Sequence, residues 1–100
     1  MDMWEIRTIQ KACMDGDLGY VKKYIDSGKS LEVRNFEYGK SLLSLASENG
    51  HEDIVRLLLD CGAVKESRDD RKRTPIMHAS LRGQERVVGL LAKGGANINA

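Results

Sequence analysis

Residues 41–63 read Ser41-Leu-Leu-Ser-Leu-Ala-Ser-Glu-Asn-Gly50-His-Glu-Asp-Ile-Val-Arg-Leu-Leu-Leu-Asp-Cys-Gly-Ala63, and they decide the fold. The first half groups apolar side chains at Leu42, Leu43, Leu45 and Ala46, then stops at Asn49-Gly50. Glycine ends a helix readily because the left-handed cap conformation costs it nothing. The second half opens with Glu52 and Asp53, acids that suit the positive end of a helix dipole. It carries Ile54, Val55, Leu57, Leu58 and Leu59 and stops at Gly62. The stretch predicts a helix, a turn and a second helix. Two helices of about ten residues cannot shield their apolar faces alone, so the remaining chain must supply neighbours.

It does so by repetition. Gly16, Gly50 and Gly83 are spaced 34 and then 33 residues apart, as are Gly28, Gly62 and Gly95. Ala12, Ala46 and Ala79 share those intervals, and so do Val21, Val55 and Val88. Four independent sets with one offset define a helix pair closed by two glycines and present three times. One hundred residues leave room for a single domain. With 31% charged and 41% hydrophobic residues the chain is globular rather than disordered. A net charge of +1 offers no global field for nucleic acid or a membrane surface. Cys13 and Cys61 stand in no paired spacing and are expected to be buried, reduced thiols. Met1-Asp2-Met3-Trp4 begins no signal peptide, and no run approaches the ~20 apolar residues of a membrane span. The expectation is a soluble intracellular protein, cytoplasmic or nuclear.

The third copy contains Thr74-Pro75-Ile76-Met77-His78-Ala79, which resembles the Thr-Pro-Leu-His-x-Ala signature of ankyrin repeats. Gly50-His51, the run Ile54–Leu59 and Gly62-Ala63 resemble the family's second helix and its exit. The stretch Gly95 to Ala100 resembles the start of a further hairpin. The resemblance covers nearly the whole chain. It implies an all-α solenoid of stacked helix-turn-helix units joined by β-turn hairpin fingers. The whole chain, 1–100, would form one domain, with repeats at approximately 1–34, 35–67 and 68–100.

The copies differ in detail. Asp2 followed by Glu5 is a candidate capping box, so the first helix should start about one turn upstream of its counterparts. Lys11 stands where the second copy has Leu45, and a polar residue there suits a terminal repeat with one solvated face. Trp4 is expected to fold back over that end of the stack, with a binding-site tryptophan as the alternative. The first connection is one residue longer than the second, and the second has Lys72 where the family usually has glycine. Ser41 and Thr74 are the expected N-caps of their helices, with Pro75 at the first helical position, where its missing N–H costs nothing.

No enzyme is expected. His51 follows the turn glycine, where the resemblance implies a bond to neighbouring loop backbone. His78, at a usually apolar helix position, reads as a satisfied or half-exposed histidine. No Cys/His/Asp/Glu set has metal-ligand spacing. Gly94-Gly95 ends a helix rather than opening one, so it offers no phosphate-binding N-terminus. No cofactor, metal or small-molecule substrate is expected, and the predicted partner is a protein rather than nucleic acid or a membrane.

Candidate contact residues fall in three places. Phe36, Glu37 and Tyr38 form the first fingertip: they are partner anchors, or one ring packs on the neighbouring hairpin. Arg68-Asp69-Asp70-Arg71-Lys72-Arg73 forms the second. It is a solvated hairpin, or it presents Arg71 and Arg73, with Arg82 nearby, to an acidic partner. Met14, Glu48 and Leu81 correspond by register at the rims of the inner helices. Asn99 lies in a context resembling asparagine-hydroxylation sites of ankyrin proteins. The expected function is non-catalytic protein–protein recognition. The alternative is an N-terminal targeting or regulatory segment of a longer enzyme or signalling protein.

Overall fold

A computed structural model describes residues 2–96. The Asn99 context and the last residues of the final hairpin therefore lie outside the described residues. The described chain forms six helices: α1 (Met3–Asp15), α2 (Leu18–Asp26), α3 (Leu42–Glu48), α4 (Glu52–Asp60), α5 (Pro75–Leu81) and α6 (Glu85–Lys93). The only β feature among these residues is one antiparallel bridge between Arg34 and Ser41 at the base of the first finger. None of the described helices is long and apolar enough to cross a membrane.

The helices pair as α1–α2, α3–α4 and α5–α6, and the pairs stack. Helices α1, α3 and α5 form an inner layer, and α2, α4 and α6 an outer one. The resulting body measures 35 × 25 × 20 Å. Helix α3 lies between α1 and α5, and all seven of its residues are buried. Ala12, Ala46 and Ala79 recur inside the inner layer, where their small side chains let neighbouring helices approach. Ile54, Val55 and Leu58 of α4, with Val87 and Leu91 of α6, close the core from the outer layer.

The repeats are also joined by one recurring polar bond. His51, just after the α3–α4 turn, places Nε2 2.6 Å from the Met14 carbonyl oxygen at the end of α1. A carbonyl only accepts, so Nε2 carries the proton. Gln84, one repeat later, donates Nε2–H to the Glu48 carbonyl at 3.2 Å. These bonds pass directly over Gly16 and Gly50. A Cβ at Gly16 would lie 2.8 Å from the His51 ring, and one at Gly50 2.5 Å from Gln84 Oε1. Both glycines also take positive φ, 85° and 75°. Each turn thus needs glycine for its conformation and for the close approach of the next repeat.

The fingers are built on two equivalent polar side chains. Asn35 Oδ1 accepts from the backbone N–H of Tyr38 and Lys40, at 3.2 and 2.9 Å. Asp69 Oδ1 accepts from Arg71 and Arg73 N–H, both at 2.9 Å. The extra residue of the first connection falls inside this turn. The turn then ends alike in both fingers, with Gly39 at φ 67° and Lys72 at φ 62°. Lys72 therefore keeps the finger's shape and bears the steric strain of the left-handed region.

Three local expectations, for Cys61, Trp4 and Thr74, are corrected, and the early start of the first helix is met. Cys13 is buried, and burial pushes its thiol up to about 12, but Cys61 is exposed because it sits at the C-cap of α4, beyond the last covered turn. Trp4 is 72% exposed and does not fold over the stack. It lies on the helical stripe of Thr8, Lys11 and Asp15, whereas α1 buries the face carrying Ile9, Ala12 and Cys13. Helix α1 begins at Met3, five residues before the position equivalent to the α3 and α5 starts, with Asp2 Oδ1 accepting from Glu5 N–H at 2.9 Å. Thr74 occupies the N-cap position of α5, but its hydroxyl is buried without a hydrogen-bond partner. At the equivalent place in α3, the Ser41 hydroxyl accepts from Ser44 N–H at 3.1 Å and also meets the hydroxyls of Ser44 and Ser67. Met77 stands where α3 has Ser44 and offers no hydroxyl.

Two stability outcomes follow from this packing. Leu58→Ala, at a fully buried site, should lower unfolding free energy by about 2–5 kcal/mol in urea melts. Lys72→Gly should raise it by about 0.5–1 kcal/mol, because relief of the left-handed strain is offset in part by glycine's freedom in the unfolded chain.

Candidate functional site

Between the second finger and the inner helices lies a cleft of about 370 Å³. Tyr38 and Lys40 enter it from the first finger, and Asp69, Arg71 and Arg73 from the second. Glu48 comes from the end of α3, His78 and Leu81 from α5, and Arg82 from its C-cap. Two successive helix pairs and their fingers must therefore stack before the cleft exists.

Its floor is a buried row of charged and polar groups. Lys40 Nζ lies 3.1 Å from both carboxylate oxygens of Glu48. Glu48 Oε2 lies 3.5 Å from His78 Nδ1, and His78 Nε2–H donates to Asp69 Oδ2 at 2.7 Å. The side chains of Glu48, His78 and Asp69 are almost fully removed from solvent. Burial opposes the charge on Asp69. The N–H groups of Arg73 and Arg71, together with His78, outweigh it and hold the carboxyl below the usual carboxylate range. Asp69 thus shapes the finger through Oδ1 and ties it to α5 through Oδ2.

The rim carries the opposite sign. Arg71 and Arg82 are exposed and Arg73 is half-buried. Among the described residues, none of the three has a carboxylate within 4.0 Å. The local acids are occupied elsewhere, Glu48 by Lys40 and Asp69 by backbone and His78. The Arg71 guanidinium sits over the Tyr38 ring, 4.4 Å from its centroid, and Lys40 Nζ approaches the same ring at 5.6 Å. The fingers are clamped by the Asp70 N–H, which donates to the Tyr38 carbonyl at 2.8 Å. Arg34 adds hydrogen bonds to the carbonyls of Gly39 and Arg68.

Six of the nine residues expected to meet a partner line this one cleft: Tyr38, Glu48, Arg71, Arg73, Leu81 and Arg82. Tyr38 packs on the neighbouring finger, while Phe36 projects into solvent, 62% exposed. Glu48 lies in the buried row rather than on an open rim. Phe36, Glu37 and Met14 are not among the lining residues. Lys40 and Asp69 were not singled out by sequence reasoning. The available signal was Asp69 itself, an acid inside a basic run at a turn position suited to capping backbone N–H groups. Among the described residues, no group of three or more His, Cys, Asp or Glu could hold a metal ion.

A family model described as "Ankyrin repeats (3 copies)" matches residues 9–100. The chain is 37% identical over 98 residues to the Drosophila melanogaster "Ankyrin repeat and KH domain-containing protein mask", covering 94% of this chain and 2% of that protein. It is 30% identical over 96 residues to the Caenorhabditis elegans "Transient receptor potential cation channel subfamily A member 1 homolog", covering 96% of this chain and 8% of that protein. It is 36% identical over 81 residues to the Mustela putorius furo "Ankyrin repeat, SAM and basic leucine zipper domain-containing protein 1", covering 81% and 17% respectively. The chain thus spans a small part of each of these relatives.

The floor predicts an acid-dependent stability. The Asp69 carboxyl is depressed in the folded chain, so its contribution is complete above the unfolded value of about 3.9 and is lost as pH falls through the lower folded value. Asp69→Asn should cost about 1–3 kcal/mol at neutral pH. In urea melts the gap between wild type and Asp69→Asn should begin to narrow as pH falls below the unfolded value of about 3.9 and go on narrowing through the lower folded value.

Proposed function

The chain belongs to the ankyrin-repeat family, whose repeats are generally protein–protein interaction modules; on that premise we propose that it is a non-catalytic recognition module whose cleft receives an acidic segment of a protein partner. The observation that carries this reading is the set of three arginines, Arg71, Arg73 and Arg82, that line one cleft with no carboxylate partner among the described residues. A guanidinium presents a planar fork of N–H donors that matches a carboxylate. The fingers are braced by backbone bonds and by the Tyr38–Arg71 stack, so binding there loses little conformational entropy. Leu81, 64% exposed beside the arginines, supplies an apolar edge. Glu48 acts from the floor, holding Lys40 and His78 in place. Phe36, Glu37 and Met14 are contacts for a partner that extends beyond the cleft.

The free cysteines fit a reducing compartment, cytoplasmic or nuclear. A second reading is favoured by the small share of each relative that the chain spans. In it, the same surface is the targeting or regulatory segment of a longer enzyme or signalling protein.

Reversing two rim charges tests the cleft. Arg71→Glu with Arg73→Glu should weaken binding to a captured protein partner by at least about tenfold, with the helical circular dichroism spectrum retained. Unchanged affinity with an intact fold would sink the proposal.

A further inference from the structure

We infer that the anion this cleft is built to read is a phosphomonoester on a partner's side chain. The inference rests on the protein-binding role proposed above and specifies the chemistry of the bound group. Charge balance carries it first. Lys40, Arg71, Arg73 and Arg82 place four cations around the cleft, against the two carboxylates of Glu48 and Asp69. The excess is two positive charges before any charge on His78. A single carboxylate brings one negative charge, whereas a phosphorylated side chain brings about −1.5 to −2 at neutral pH.

Donor geometry points the same way. Both Glu48 oxygens meet Lys40 Nζ, and both Asp69 oxygens are taken, Oδ1 by two backbone N–H groups and Oδ2 by His78. The floor acids therefore have no need of the rim arginines, whose N–H donors stay available to a ligand. Three guanidinium groups suit the three acceptor oxygens of a phosphate better than the two of a carboxylate. The Tyr38 ring under Arg71 holds one guanidinium plane before any ligand arrives, and about 370 Å³ is ample for the group.

The experiment titrates the 15N-labelled full chain with N-acetyl-O-phosphoserine amide and, in parallel, with N-acetylglutamate amide, following amide shifts by NMR. The phosphoserine probe should bind about fivefold more tightly, the increment of one further unit charge facing a cation near a solvated surface. Its shifts should centre on residues 69–73 and 78–82. Arg71→Gln with Arg73→Gln, and separately Arg82→Gln, should each weaken it severalfold while leaving the remaining spectrum dispersed. Equal affinity for the two probes would overturn the inference and leave the acidic-partner reading standing. So would binding that the arginine variants do not change, or no shifts at about 20 mM phosphoserine probe, where a millimolar contact would be saturated. The acidic-partner reading fails separately, if the charge reversal leaves partner binding intact.

Discussion

Everything in this molecule depends on the burial of α3 between α1 and α5. A seven-residue helix has no stability of its own in water, because nucleation costs more than so few hydrogen bonds return. It persists because every one of its residues is covered. That condition dictates what surrounds it. The faces must be small or apolar, hence Leu42, Leu43, Leu45 and Ala46, and the Ser44 hydroxyl meets that of the N-cap Ser41, while the buried Ser47 hydroxyl has no hydrogen-bond partner among the described residues. The turns on either side must let the next repeat come close, which glycine at 16 and 50 allows and a Cβ would prevent.

The same burial sorts the charges. Glu48 ends α3 and is covered with it, and a buried carboxylate is costly unless it is paired and hydrogen-bonded. Lys40 meets that need from the finger of the same repeat and His78 from the next repeat, and Asp69 completes the row. Acids are thereby turned inward and arginines left outward, in a chain whose net charge is only +1. A basic cleft can therefore arise without a basic protein. Its walls are fixed by the bonds that stabilise the floor, since Asp69 shapes the finger that displays Arg71 and Arg73 while anchoring it to α5.

The 34- and 33-residue spacings, the turn glycines and the apolar runs settle six helices in three pairs, because helix periodicity and glycine caps are local properties of the chain. The register that aligned Met14, Glu48 and Leu81 is equally local, and so are the longer first finger and the positive φ required just before Lys40 and Arg73. That Lys72 accepts this conformation was not legible, since nothing adjacent in sequence shows the two bonds by which Asp69 holds the turn.

What a residue touches was decided by the stack. Met14, Glu48 and Leu81 share one register, yet only Glu48 is buried, because of the three inner helices only α3 has a neighbour on each side within the described residues. Trp4 and Cys61 are residue types that usually seek the interior, but their places on α1 and at the end of α4 face outward. Thr74 has the sequence of a cap, yet its buried hydroxyl makes no cap bond and has no partner among the described residues. The sequence by itself determined the repeat, its helices and its turns, through interactions spanning a few residues. Only the tertiary structure decided that Glu48 of one repeat meets His78 of the next, 30 residues on, joining the local pairs Lys40–Glu48 and Asp69–His78 into one row, and so where the cleft lies.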